Sequence, residues 1–187
     1  MDETRVILYK YPDGKIYEGE LSEGFPDGWG KMIFCNFDEY EGQWSNGEMN
    51  GFGVYRFYDS IKDKFIGKYE GAFKNCQFHG FGKITYPNKS IYCGQWENGK
   101  KEGFGQFIFS SGCIIFGEWH NDNILKGTYI YPDGRKFIGT FENFNFNGDG
   151  IMILPNGTIQ QGTWTNNKLA KGAEMNSNGE ITLIKED

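Results

Sequence analysis

The sequence predicts an all-β protein: an elongated, single-layer antiparallel sheet, or solenoid, of about seven stacked β-hairpins. Three observations support this prediction: abundant glycine and aromatic residues, a repeat of about 23 residues, and a period of two within each repeat. Of 187 residues, 28 are glycine and 18% are Phe, Trp or Tyr. So many rings exclude a disordered chain. Glycine destabilises helix interiors by about 1 kcal/mol relative to alanine, and beside aromatic residues it is typical of strands and tight turns.

The repeat emerges when segments similar to Tyr-Glu-Gly-x-Trp are aligned. With the first residue of each segment counted as position 0, glycine stands at position +2 in all seven segments, and Trp or Phe stands at +4 in six. Two further glycines, at +11 and +13, follow in five repeats. We therefore interpret residues 1–187 as a single array. Its repeats start at Tyr17, Tyr40, Tyr69, Tyr92, Ile115, Phe137 and Gln160.

Within each repeat, side chains alternate between two faces, as they do along a β-strand. In the second repeat Tyr40, Gly42 and Trp44 share one face, and an Asn-Gly turn within 45–50 precedes a second strand. Each repeat is thus predicted to be one hairpin. Because an isolated hairpin is marginally stable in water, we expect stability to come from stacking, with rings packed over glycines of neighbouring strands.

Three parts of the array are irregular. Residues 6–16 look like half a repeat, and residues 180–184 look like a terminal strand that caps the array. The second repeat is six residues longer than the others, and the excess lies within 58–68. We interpret this insertion as a longer connecting loop. The alternative is a contact for a partner, because loops on rigid scaffolds often carry recognition.

The pattern resembles the MORN (membrane occupation and recognition nexus) repeat family, whose motif is Tyr-x-Gly-x-Trp-x-x-Gly-x-x-x-Gly-x-Gly. Segments 40–53 and 92–105 match this motif nearly letter for letter. The fifth and seventh repeats depart from it, since each keeps only one glycine of the later pair, Gly127 or Gly172. The resemblance implies an interaction scaffold of the kind found in cytoskeletal assemblies, including ciliary axonemes.

Residues that could carry catalysis or bind a metal are few and scattered. His79 and His120 fall in or near predicted turns, and no glycine-rich segment has the spacing of a nucleotide-binding loop. The four cysteines form no Cys-x-x-Cys pair, so we predict reduced thiols instead of a zinc site. Glutamates recur at position +1, but on alternate strands they lie about 10 Å apart, too far to share an ion. We predict no enzyme, no cofactor and no metal.

Charge and hydropathy bear on partners and location. The net charge of −6, with no basic stripe, argues against a nucleic-acid partner. No apolar run approaches the roughly 20 residues of a transmembrane helix, and the N-terminus lacks the apolar core of a signal peptide. We expect a cytoplasmic protein, and the family resemblance implies association with the cytoskeleton or a cilium.

The preferred hypothesis is a non-enzymatic scaffold that holds extended protein partners along its ring-bearing face. A single-layer sheet has no second layer to cover these rings, so we expect them to stay partly open. The alternative is a phosphoinositide- or membrane-binding adaptor, which the family name implies, although the basic clusters here are smaller than such binding usually uses. The predicted partner contacts are Tyr40, Trp44, Tyr69, Phe73, Tyr92, Trp96, Lys62 and Lys64.

Overall fold

The structure, a computed structural model, describes residues 7–185, and every regular element within them is a β-strand. Sixteen of these strands make an antiparallel sheet whose order is that of the sequence. The predicted all-β fold and single antiparallel sheet are therefore confirmed. The chain divides into two compact units, residues 1–100 and 101–187, which are described in turn. The single array over 1–187 stays a prediction.

The first unit consists of a short strand, three complete hairpins and one further strand. The half-repeat predicted over 6–16 corresponds to β1 and the turn after it, although residue 6 lies outside the described residues. The hairpins are β2–β3, β4–β5 and β6–β7, and their first strands contain Tyr17, Tyr40 and Tyr69. The strands are β1 (Ile7–Lys10), β2 (Ile16–Ser22), β3 (Phe25–Ile33), β4 (Glu39–Ser45), β5 (Glu48–Asp59), β6 (Lys64–Lys74), β7 (Gln77–Thr85) and β8 (Ile91–Glu97).

The insertion within 58–68 forms a longer hairpin, not the longer loop predicted. It extends β5 to 12 residues and β6 to 11, and the last cross-strand pair joins Asp59 to Lys64. Oδ1 of Asp59 accepts hydrogen bonds from the backbone N–H groups of Ile61 and Lys62, at 3.0 and 3.1 Å. The aspartate thereby closes the turn, so the strands can continue almost to the tip.

A β-bulge recurs in the hairpins and explains the first glycine of each pair. In β4–β5 the register shifts between Gly42 and Trp44, and Gly51 on the other strand has a φ of +95°. Glycine adopts this left-handed conformation without the steric penalty of a side chain. Beyond the bulge, Gly53 lies on the buried face of the sheet and Phe52 lies on the opposite face.

The second unit repeats this construction with hairpins β10–β11, β12–β13 and β14–β15. The capping strand predicted over 180–184 is β16. In the fifth and seventh repeats the remaining glycine lies opposite the glycine at +2, as Gly127 does opposite Gly117. The strands are β9 (Lys100–Ile108), β10 (Ile114–His120), β11 (Asn123–Ile130), β12 (Lys136–Glu142), β13 (Asn145–Ile153), β14 (Ile159–Thr165), β15 (Lys168–Met175) and β16 (Ile181–Ile184).

Candidate interaction surface

The tyrosine at position 0 lies over two glycines of its own hairpin. A Cβ atom added at Gly53 would lie 2.4 Å from Cε2 of Tyr40, and one at Gly42 would lie 2.6 Å from the Tyr40 hydroxyl oxygen. The hydroxyl donates a hydrogen bond to the carbonyl of Gln43, at 2.8 Å. Rings therefore do pack over glycines, as predicted, but for tyrosine these glycines belong to the same hairpin. Burial raises the pKa of Tyr40, and it raises that of Tyr17 to about 12.

Where position +4 is a tryptophan, the indole contacts the preceding hairpin. Nε1 of Trp44, in β4, donates a hydrogen bond to the carbonyl of Gly30 in β3, at 3.0 Å. Trp119 and Trp164 make the same contact in the second unit. The indole of Trp44 also stands edge-on to Tyr17 of the preceding hairpin, with ring centroids 5.6 Å apart. Tryptophan thus supplies the stacking that isolated hairpins lack.

The structure corrects the expectation that this ring-bearing face stays partly open. The reason is that neighbouring rings stand edge-on: Tyr40 packs between Trp44 and Phe73, with centroid distances of 5.0 and 4.9 Å. The rings therefore cover one another without a second layer, and they form the core. The six rings predicted to contact a partner are at most 5% exposed, namely Tyr40, Trp44, Tyr69, Phe73, Tyr92 and Trp96.

The two lysines predicted to contact a partner lie at the tip of the β5–β6 hairpin. Lys62 and Lys64 are exposed, and Nζ of Lys62 lies 2.9 Å from a carboxylate oxygen of Asp59. Asp63 stands between the two lysines in sequence, so the acidic and basic charges at the tip balance. A partner contact there stays a prediction, and the tip lacks the surplus of positive charge that attracts anionic membranes.

A buried carboxylate that sequence analysis missed holds the base of this hairpin. Asp38 accepts hydrogen bonds from the Tyr55 hydroxyl at 2.9 Å and from the Tyr58 backbone N–H at 2.6 Å. Two other repeats place a buried Ser90 or Thr158 at the equivalent position. The signal in the sequence was an aspartate, with two acceptor oxygens, at this position directly before the repeat that carries the insertion.

The face opposite the core carries a row of exposed aromatic rings in the first unit. Trp29, Phe52 and Phe81 are 53%, 64% and 65% exposed. All three occupy position +12, between the two glycines of the later pair, and Phe104 occupies the same position in the fourth repeat. Sequence analysis noted the glutamates at position +1 but not these rings. We call Trp29, Phe52 and Phe81 the outer ring row.

The strand register places these three rings in line across the sheet. Trp29 in β3 lies opposite Gln43 in β4, whose side-chain oxygen accepts a hydrogen bond from the N–H of Phe52 in β5. Phe52 lies opposite Ala72 in β6, and Phe81 follows in β7. The rings thus stand on every second strand, and a strand spacing of 4.7–4.9 Å separates them by about 10 Å.

Most of the charged groups beside the outer ring row are paired. Lys31 reaches Glu39 at 3.0 Å, and Lys68 reaches Glu70 at 2.9 Å. Beside Trp29, a depression in the sheet surface is lined by Lys31 and by two carboxylates, Glu18 and Glu41. Glu41 is paired with Arg56 at 3.3 Å, whereas Glu20 adds a further carboxylate next to the Trp29 backbone. The first ring of the row therefore lies in the most acidic surroundings of the three.

Within residues 7–185 the side chains form no group that could hold a metal ion. The same residues contain no helix that is long and apolar enough to cross a membrane. All four cysteines are free thiols. What the geometry offers is an extended surface for contact, with exposed rings on one face and a packed aromatic core on the other.

The fold and this surface define a repeat protein built from stacked β-hairpins. The family model for the MORN repeat matches residues 17–39, 40–61, 69–91, 92–114 and 126–134, more than half of the chain. The chain belongs to the MORN repeat family. MORN repeats generally mediate protein or membrane interactions, and the family is generally a non-catalytic scaffold.

Two curated relatives and one solved structure illustrate the similarity. Alsin from Rattus norvegicus and Alsin from Homo sapiens are each 34% identical to the chain over 97 residues. These matches cover 48% of the chain and only 6% of each Alsin. The TCP domain of SAS-4 from Drosophila melanogaster is 19% identical, with a TM-score of 0.49 and coverage of 84% of this chain and 83% of that one.

Proposed function

We propose that the chain is a non-enzymatic scaffold that binds a protein partner through the outer ring row. The observation that supports this function is the alignment of Trp29, Phe52 and Phe81 on the face opposite the core, each more than half exposed. Scattered exposed hydrophobic side chains are ordinary, whereas exposed rings that recur at one position and stand in line form a surface that a partner can contact. Tryptophan and other aromatic residues also supply much of the binding energy at protein interfaces.

The setting that we propose for this scaffold is a cytoskeletal or ciliary assembly in the cytoplasm. Support comes from the MORN repeats themselves, which resemble those of cytoskeletal and axonemal proteins. A repeated surface suits such assemblies, because repeat arrays present extended binding faces to extended partners. The partner, not the chain, then determines where the scaffold is found.

Serine substitution of the whole outer ring row tests this function. The triple variant Trp29→Ser, Phe52→Ser, Phe81→Ser should recover at least about tenfold less of each partner than the wild type, since hot-spot rings contribute most of an interface's energy. Its melting temperature should stay close to that of the wild type, because the rings lie outside the core. The measurement is affinity capture from extract of the source cells with quantitative mass spectrometry, and the recovered partners should be cytoskeletal or axonemal proteins.

A matched control removes three exposed rings of the same unit that lie off the row. Phe25, Phe37 and Phe65 are 59%, 58% and 46% exposed, and their triple serine variant should keep the partners. Equal recovery by both triple variants would contradict the proposed surface. Sedimentation with vesicles containing phosphoinositides runs in parallel: binding to vesicles without any row-dependent protein partner would identify the chain as a membrane adaptor instead.

A further inference from the structure

We infer that the segment held on the outer ring row is a proline-rich stretch in the polyproline II conformation, with a basic residue seated beside Trp29. This inference rests on the proposed function and names the class of partner for that same surface. It follows from three features of the first unit: the spacing of the rings, the pairing of the strands that carry them, and the carboxylates around Trp29.

The ring spacing selects among the regular conformations of a partner segment. Polyproline II has three residues per turn and a rise of 3.1 Å, so side chains return to one face about every 9.3 Å. The rings follow at twice the strand spacing, about 9.4–9.8 Å, within about 0.5 Å of the polyproline II repeat. Two α-helical turns span about 10.8 Å, which is at least about 1 Å too long at every ring. A β-strand presents one face every two residues, at about 6.7 Å, so its side chains would meet only every second ring.

The strand pairing excludes a partner that would bind by adding a strand. Trp29, Phe52 and Phe81 lie on β3, β5 and β7, and each of these strands is hydrogen-bonded on both sides. The row therefore offers side chains, not free backbone groups, to whatever binds there. Recognition by rings is the mode used for polyproline II segments, whose prolines pack between aromatic side chains and lose little conformational entropy on binding.

The surroundings of Trp29 specify a basic residue at one end of the segment. Glu18 and Glu41 line the depression next to the indole, and Arg56 engages Glu41 at 3.3 Å. Oε1 of Glu20 lies 3.3 Å from the Trp29 backbone nitrogen, so Glu18 and Glu20 supply the negative charge offered to a partner. Lys31 lines the same depression, but its ammonium is engaged by Glu39 at 3.0 Å. An arginine or lysine of the partner would face the indole, which favours cations more than other rings do, and would be attracted by these carboxylates.

The test uses the full chain and synthetic peptides of 12 residues. The probe is four repeats of Pro-Pro-Arg, titrated by isothermal calorimetry up to about 1 mM, the range of weak peptide contacts. A Gly-Ser-Arg repeat keeps the charge but not the conformation, and a Pro-Pro-Glu repeat keeps the conformation but reverses the charge. The chain variants are Phe52→Ser on the row, Glu18→Gln beside it, and Phe37→Ser as an exposed ring off the row.

We expect the Pro-Pro-Arg peptide to bind and both control peptides to bind at least about tenfold more weakly. Phe52→Ser should weaken binding about tenfold. Glu18→Gln should weaken it a few-fold and flatten its salt dependence. Phe37→Ser should leave it unchanged.

Absence of binding, equal binding of the Gly-Ser-Arg peptide, or equal binding by Phe52→Ser would each overturn the inference. If the peptide fails while the triple serine variant still loses the cellular partner, only the partner class is wrong; if that variant keeps its partner, the proposed function is wrong.

Discussion

Replacing Trp44 by alanine should lower the free energy of unfolding by about 3–5 kcal/mol, the range for removing a buried tryptophan. The indole is 5% exposed, donates a hydrogen bond to the carbonyl of Gly30 and packs edge-on against Tyr17 and Tyr40. Its loss leaves a cavity and removes a side-chain contact that supports the pairing of β3 with β4. The measurement is urea unfolding followed by circular dichroism.

The matched control for Trp44 is a tryptophan on the other face of the same unit. Trp29→Ala should change the free energy of unfolding by no more than about 0.5–1 kcal/mol, because exposed side chains outside special contacts contribute little. A second variant, Trp44→Phe, should retain most of the stability, since Phe73 and Phe141 fill the equivalent position in other repeats and are buried there. Equal losses from Trp44→Ala and Trp29→Ala would show that the two faces are assigned wrongly.

The second large effect is expected from Gly53→Val, which should destabilise the chain by about 1–3 kcal/mol through overpacking. A Cβ atom at this position would lie 2.4 Å from the Tyr40 ring, and Tyr40 is itself fully buried between other rings. The ring cannot retreat without disturbing Trp44 and Phe73, so the strain spreads along the core. Thermal unfolding followed by circular dichroism measures the effect.

Gly99→Asn serves as the control for the glycine substitution. Gly99 lies in a hairpin turn with a φ of +79°, and nothing lies within 4 Å of a Cβ atom added there. Asparagine tolerates this conformation, and Asn167 holds it, with a φ of 67°, at the same place in another hairpin. We expect Gly99→Asn to change stability by less than about 0.5 kcal/mol. A loss as large as that of Gly53→Val would mean that glycine is required for its backbone freedom, not for the space that it leaves for the tyrosine ring.

The fold could be predicted from the sequence because the same local pattern recurs along the chain. Glycine stands at +2 in all seven repeats and an aromatic ring at +4 in six, and this agreement in register leaves few alternatives to stacked hairpins. The packing of tyrosine over the glycines of its own hairpin could not be predicted from the sequence. It depends on the β-bulge, and the alternation of side chains between two faces does not predict a bulge.

The interaction surface could not be predicted because burial of a sheet face depends on how its rings are tilted. The sequence shows that Tyr40 and Trp44 share a face, but not that edge-on packing seals it. The outer ring row was visible as Trp29, Phe52 and Phe81 at a constant position, yet its neighbours on that face are charged, which concealed it. Asp38 escaped notice for a similar reason, since Tyr55 and Tyr58 become its neighbours only when β5 pairs with β4.

The central claim is that one face of the sheet forms the aromatic core and the other face binds the partner. Site-specific photo-crosslinking tests it most directly, with p-benzoylphenylalanine in place of Phe52 on the outer ring row or in place of Phe37, which is similarly exposed but lies off the row. After irradiation in extract, the crosslinker at position 52 should capture the cellular partner, and the crosslinker at position 37 should capture little or none. Capture from position 37 with none from position 52 would contradict the claim.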